Sequence, residues 1–147
     1  MAHTYTQNLI HLVFSTKGRQ RLIPANKQDA LWKYIVGIGV NEKIRIITVG
    51  GMRDHVHVLF DLPKTMPLMK AAQIIKANSS RWMRQTDRRF SWQESLGAFG
   101  VSESSREAVI KYIDNQPAHH AKRTFESEYV ALLKKHRVEY DAAHLFG

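Results

Sequence analysis

The sequence contains no cysteine and only four prolines among its 147 residues. Without cysteine, the chain can form neither a disulfide nor a thiolate metal site. No apolar run approaches the roughly 20 residues of a membrane-spanning helix, and residues 1–7 lack the apolar segment of a secretory signal. We therefore expect a cytoplasmic protein without a membrane partner, folded as a single domain over residues 1–147.

Acidic residues are also scarce. The 13 acidic residues stand against 22 lysines and arginines, which gives a formal net charge of +9 and a pI near 10.0. A surplus of this size favours a polyanionic partner, because cationic side chains bind phosphates and release counterions. A basic but merely solvated surface would give the same composition, so charge alone leaves the partner open. The candidate contacts to a nucleic acid are Lys17, Arg19, Arg21, Lys76, Arg81 and Arg84.

Hydrophobic patterning predicts alternating strands and helices. Alternating and isoleucine-rich segments predict four strands, at residues 8–15, 43–49, 54–62 and 96–102. Segments with the helical period predict four helices, one beginning near residues 24–26 and the others at 67–84, 102–116 and 121–136. Gly50-Gly51 is expected to form a hairpin turn between the second and third strands, and Pro117 is expected just past the end of the third helix.

The predicted order is β-α-β-β-α-β followed by two helices. This order is typical of the split βαβ, ferredoxin-like α+β sandwich, here with a C-terminal helical extension. Such a sheet carries its helices on one face. We expect the other face to be free for a substrate or a second subunit.

Two histidines, His55 and His57, alternate with apolar residues along the third predicted strand. Because alternate residues of a strand share a face, Val56, Val58 and Phe60 are expected to face the core while both histidines point the other way. Two neighbouring imidazoles can bind one metal ion. A His-x-His pair also occurs on polar strand faces without any metal, since the pattern is short and common.

A possible nucleophile lies further along the chain. Tyr112 and Gln116 are four residues apart on the third predicted helix and therefore share one helical face. They offer a phenol oxygen and a third neutral ligand. The spacing by itself fits a half-buried tyrosine and a helix-terminal glutamine at least as well, so it leaves both interpretations open.

Other candidate ligands are placed less favourably. Asp61 shares the strand face of the histidines, but it lies about 13 Å from His57 at ~3.3 Å per residue, too far to bind the same ion. His119 and His120 follow Pro117 and could contact DNA or a metal ion, but we expect them to be surface residues or contacts to a nucleic-acid backbone.

The sequence resembles the single-tyrosine HUH transposases, the TnpA family of the smallest bacterial insertion sequences. The name HUH denotes His, a hydrophobic residue and His, here residues 55–57. The flanking segments GGMRD (50–54) and LFDLP (59–63) also resemble the family, as does YIDNQ (112–116). The resemblance runs from Tyr5 to about Tyr140.

This resemblance implies a site and an activity. His55, His57 and Gln116 would hold a Mg²⁺ or Mn²⁺ ion, and Tyr112 would be the nucleophile. The expected enzyme is a homodimeric DNA transposase that cleaves and rejoins single-stranded DNA through a 5′-phosphotyrosine. It would recognise hairpins at the ends of an insertion sequence, and the basic residues named above would contact that DNA.

Two alternatives belong to other functional classes. A non-catalytic module that binds single-stranded nucleic acid can use the same sheet, but it exposes aromatic residues where this sequence has His55 and His57. An HUH replication initiator or relaxase-like nuclease would share the chemistry. Such proteins usually carry added domains, for which 147 residues leave no room.

Overall fold

A four-stranded antiparallel sheet forms the centre of the computed structural model, which describes residues 3–147. The strands, in the sheet order β2-β3-β1-β4, are β1 (Leu9–Ser15), β2 (Arg45–Gly51), β3 (His55–Asp61) and β4 (Gly97–Val101). β3 lies antiparallel between β1 and β2, so the crossover from β1 to β2 passes one intervening strand. This is the split βαβ arrangement, and the predicted ferredoxin-like α+β fold is confirmed.

Two long helices cover one face of the sheet: α1 (Gln28–Glu42) and α2 (Leu68–Arg84). Strand side chains alternate between faces, so one apolar set on β1 and β3 meets these helices. The helices contribute apolar residues spaced three or four apart. The buried core between them includes Ile10, Leu12, Phe14, Val56, Val58, Phe60, Leu31, Ile35, Ala72 and Ile75.

Three further helices cover the opposite face: α3 (Arg106–Asp114), α4 (Gln116–His120) and α5 (Phe125–Lys135). On that face Val13 packs in one apolar cluster with Phe125, and Leu59 packs in another with Ile113. The expectation of a free sheet face is therefore wrong. Apolar residues on both faces of the central strands require both faces to be covered.

Predicted boundaries near residues 115 and 50 differ from the structure. The predicted helix 102–116 is interrupted at Asn115, whose φ of −99° and ψ of 21° lie outside the helical region. Pro117 consequently lies past the end of α3 and inside the first turn of α4, where a helix needs no backbone N–H. Gly50 and Gly51 belong to β2, and residues 52–54 form the hairpin turn.

Short connections complete the described structure. Single 3₁₀ turns lie at Lys17–Arg19, Ala25–Lys27, Glu103–Ser105 and Ala142–His144. α5 begins later than predicted, after Thr124, whose side chain accepts a hydrogen bond from the Ser127 backbone N–H. Within residues 3–147, no helix is both long enough and apolar enough to cross a membrane.

Gly50 allows α3 to approach β2 closely. A Cβ at this position would overlap the backbone carbonyl oxygen of Ile113, well inside van der Waals contact. Because the obstacle is backbone, no side-chain rotation relieves it. Gly50 also pairs with His57 across β2 and β3, so α3 docks beside that histidine.

Gly50→Ala should destabilise the protein by about 1–3 kcal/mol, because α3 has to move away from β2. Urea unfolding followed by circular dichroism measures this change in the free energy of unfolding. Gly100→Ala is the matched control, because a Cβ on that β4 residue meets no atom within 4 Å. Equal stability of the two variants would contradict the role assigned to Gly50.

Candidate functional site

β3 carries His55 and His57 on the sheet face that α3, α4 and α5 cover. Both side chains are fully buried, and their ring centroids lie 5.1 Å apart. The neighbouring residues Val56 and Val58 belong to the core beneath α1 and α2 instead. The alternation of the strand thus places both imidazoles in one polar cluster, across the sheet from that core.

One ring nitrogen of each strand histidine is held by a neighbour. His55 Nδ1 donates to Asp54 Oδ1 at 2.7 Å, and His57 Nδ1 lies 2.8 Å from Nε2 of His11 on β1. Nε2 of both rings consequently points into the cluster. This arrangement is common for metal-binding histidines, because the outer hydrogen bond fixes the ring and its tautomer.

Tyr112 and Gln116 meet these histidines although they lie on different helices. Gln116 is fully buried, and its Oε1 lies 2.8 Å from His55 Nε2. The Tyr112 ring packs edge-on against His57, with centroids 5.7 Å apart. Asp61 lies at the far end of β3, where its carboxylate accepts from the backbone N–H of residue 8. The structure therefore brings four of these five side chains together.

A buried glutamate on α5, Glu128, also reaches into the cluster. Its Oε1 lies 2.9 Å from His57 Nε2 and 3.2 Å from His120 Nε2. Its Oε2 accepts hydrogen bonds from the Tyr112 hydroxyl and from Gln116 Nε2. One carboxylate thus contacts the histidines with one oxygen and the tyrosine with the other.

Sequence patterning did not single out Glu128, although one signal was present. The buried face of α5 carries Phe125, Tyr129 and Leu133, and Glu128 lies on the same face. A carboxylate on the apolar stripe of a helix indicates a polar site, because a buried charge needs partners. His120 was expected at the surface, and the structure instead packs it against Glu128.

Burial and hydrogen bonding compete in this cluster. Burial alone would raise the pKa of Glu128, but hydrogen bonds from His120, His57 and Tyr112 hold that pKa well below its usual range. Burial, and then the charge of Glu128, raises the pKa of Tyr112 above its ordinary value. Burial lowers the pKa of His57 to about 4. At neutral pH the cluster therefore holds a carboxylate, a protonated phenol and a neutral His57.

The cluster has the chemistry of a divalent-metal site. The atoms able to act as ligands lie within 4.8 Å of one another in His55, His57, His120 and Glu128. Imidazole nitrogen and carboxylate oxygen are both ligands of divalent transition metals. Within residues 3–147, Nε2 of His119 is buried without a hydrogen-bond partner and lies 3.4 Å from Glu128 Oε2. These residues fit a cation, which would compensate the buried carboxylate, and Gln116 borders them.

A basic cleft of about 770 Å³ adjoins the cluster, and Asp54 and His120 form part of its wall. The cations that line it are Arg19, Arg21, Arg53, Lys122 and Arg123. Two of the predicted DNA contacts, Arg19 and Arg21, are among them, and Lys17 is exposed in the same turn. The first-turn cations therefore lie beside the cluster.

The predicted DNA contacts on α2 lie elsewhere. α2 packs on the other face of the sheet, and there Arg81 and Arg84 are exposed. The Lys76 ammonium donates to the backbone carbonyls of residues 93–95 at 2.6–3.2 Å, so it is already engaged. The fold does not bring these three cations to the cluster.

Comparison with known proteins finds clear relatives. The sequence family described as "Transposase IS200 like" matches residues 4–116. The ISDra2 transposase TnpA of Deinococcus radiodurans is 25% identical over 114 residues, a match that covers 72% of this chain and 81% of the relative.

Two solved structures share the fold. A crystal structure from Deinococcus radiodurans R1, assigned as a transposase, has a TM-score of 0.62 at 22% identity and covers 79% of this chain and 96% of its own. A REP-associated tyrosine transposase bound to a REP hairpin has a TM-score of 0.60 at 14% identity, with coverage of 82% and 73%. Both solved structures are similar to this chain in their α+β fold.

The family match includes the strand with both histidines and the helix with Tyr112, and it ends at Gln116. It therefore spans the side chains that β3, α3 and the start of α4 bring together. On this match over most of its length, the chain belongs to the IS200-like transposase family and is a transposase, an enzyme of DNA recombination.

Proposed function

We propose that this transposase cleaves and rejoins single-stranded DNA through Tyr112, assisted by a divalent metal ion held at His55 and His57. One observation carries the proposal: the Tyr112 hydroxyl bonds to the same carboxylate that contacts Nε2 of His57. The Glu128 side chain therefore contacts both the candidate nucleophile and a candidate metal ligand. A non-catalytic module would have little use for buried histidines on its sheet.

The proposed reaction exchanges one phosphodiester bond for another. The Tyr112 phenol oxygen loses its proton and forms a bond to phosphorus, while the bond from phosphorus to the 3′-oxygen breaks. That oxygen takes up a proton and leaves as a 3′-hydroxyl. The product is a 5′-phosphotyrosine, and attack on it by another 3′-hydroxyl rejoins the strands without ATP.

The residues around Tyr112 prepare this step. A phenol is a poor nucleophile until its proton is removed, and the raised pKa of Tyr112 makes that need greater. Glu128 accepts the hydroxyl hydrogen bond and so orients the oxygen. When bound, a divalent ion supplies positive charge that polarises a phosphoryl oxygen of the substrate. We propose Mg²⁺ or Mn²⁺, with Gln116 as a further ligand, and imidazole ligands favour Mn²⁺.

A hairpin in single-stranded DNA is the proposed substrate. The REP-associated relative was solved with a REP hairpin bound, which makes this DNA form the first to test. The basic cleft lies beside the cluster, so Arg19, Arg21 and Arg53 would bind phosphates near the scissile bond. Arg81 and Arg84 would contact only DNA that continues around the sheet to α2.

We also propose a homodimer. β2 is an edge strand, and Val36 and Val40 on the adjacent α1 are exposed. An edge strand beside exposed apolar residues offers a surface for a second subunit. Tyr112 meets the histidines of its own chain, so we propose that the tyrosine acts in cis.

Tyr112→Phe should abolish the covalent protein–DNA adduct, because it removes the attacking oxygen and keeps the ring. Incubation with 3′-end-labelled hairpin DNA and Mn²⁺, followed by denaturing electrophoresis, detects the adduct. Tyr129→Phe and Tyr140→Phe should form it at the wild-type level, since neither hydroxyl contacts the cluster. An adduct on the Tyr112→Phe protein would show that another residue is the nucleophile.

Chelation should separate cleavage from binding. EDTA should stop cleavage by the wild type, and excess Mn²⁺ should restore it. A His55→Ala/His57→Ala protein should not respond to Mn²⁺, yet it should bind the hairpin nearly as tightly, because cations outside the cluster neutralise the phosphates. Gel assays measure cleavage, fluorescence anisotropy measures binding, and circular dichroism verifies the fold. Full cleavage by the double variant in EDTA would exclude a role for the metal.

Removing positive charges should show whether the DNA binds in the basic cleft or on α2. Arg21→Gln with Arg53→Gln should weaken hairpin binding and reduce the slope of log affinity against log salt by about 1.4, about 0.7 per lost phosphate contact. Arg81→Gln with Arg84→Gln removes the same charge from α2 and should leave the slope nearly unchanged. Anisotropy titrations at several salt concentrations give both slopes. A larger loss in the α2 pair would place the DNA on the other side of the sheet.

A further inference from the structure

Glu128 comes from a part of the chain that the family match does not reach. The match ends at residue 116, and α5 follows with Glu128 on its buried face. We propose that Glu128, together with His120, ligates the divalent ion, so that an anionic ligand joins the two strand histidines. The proposal rests on the metal-assisted function proposed above.

In the described part of the chain, no lysine or arginine forms an ion pair with the Glu128 carboxylate. Within residues 3–147, its ion-pair partners are all imidazoles, from His55, His57, His119 and His120. Glu126, on the exposed side of the same helix, pairs with Arg19 at 3.2 Å. A buried carboxylate without a compensating charge is strongly destabilising, so a positive charge has to reach Glu128 from another source.

The imidazoles indicate where that charge lies. His120 Nδ1 donates to the backbone carbonyl of Arg123 at 2.7 Å, so Nε2 carries a lone pair unless a second proton or a metal ion binds there. That nitrogen lies 3.2 Å from Glu128 Oε1, which carries only lone pairs. His55 repeats the pattern, since Nδ1 donates to Asp54 and Nε2 lies 3.6 Å from the same oxygen. Lone pairs that face one another in this way repel unless a proton or a metal ion lies between them.

A metal ion satisfies more of these atoms than a proton does. A proton bridges one nitrogen and one oxygen, whereas an ion accepts several lone pairs at once. The ligand atoms already lie within 4.8 Å of one another, close to the span of about 4 Å across an ion with ligands at about 2.1 Å. The second oxygen of Glu128 bonds to Tyr112, so this ligand would also connect the ion with the nucleophile.

Glu128→Gln tests the assignment, because it keeps the size of the side chain and one acceptor oxygen and removes its charge. We expect the Mn²⁺ affinity of the full chain without DNA, measured by isothermal titration calorimetry, to fall at least about tenfold. Glu126→Gln is the matched control on the same helix and should bind Mn²⁺ as the wild type does. Wild-type affinity in the Glu128→Gln protein would overturn the proposal and indicate that protons compensate the carboxylate.

Anomalous diffraction from wild-type crystals soaked in Mn²⁺ needs no variant. A peak bonded to Glu128 and His120 supports the proposal. A peak bonded to the strand histidines and Gln116, with Glu128 turned away, overturns it and leaves metal-assisted cleavage intact. A wild type that binds no Mn²⁺ in either measurement overturns the ligand assignment and the metal requirement together, whereas the Tyr112 adduct is tested separately.

Discussion

The two faces of β3 organise both halves of the molecule. Val56 and Val58 face α1 and α2, because burial of their apolar surface helps to drive folding. In that register His55 and His57 have to face the other way, where their nitrogens require polar partners. A shift of one residue would put both histidines into the apolar core. The packing that stabilises the fold therefore also fixes the orientation of the candidate ligands.

The parts of the structure that depend on neighbours in the chain could be predicted from the sequence. The periodicity of apolar residues predicted the strands and helices, and the order of these elements left few possible sheet topologies. The common face of His55 and His57 needed only the repeat of a strand. Tyr112 and Gln116 are four residues apart, so they stay close together even though Asn115 interrupts the helix.

The parts that depend on how α5 folds back could not be predicted. Glu128 lies 71 positions from His57, and no local pattern specifies that contact. The contact depends on how α5 docks on the sheet. The Tyr129 ring occupies the space that a Cβ at Gly97 would need, and Phe125 stacks on His55 with ring centroids 4.1 Å apart. The same long-range docking explains why the expected free face of the sheet is covered.

The docking of α5 over the cluster has an energetic consequence. His55, His57 and Glu128 are at most 1% exposed, and Glu128 reaches the histidines only from a docked α5. Undocking of α5 would expose Phe125 and its apolar neighbours, at about 1.5–3 kcal/mol for each large side chain. Few molecules are therefore undocked at any time. A smaller side chain at Leu133, in that apolar cluster, would then raise the fraction of molecules in which Glu128 has left the histidines.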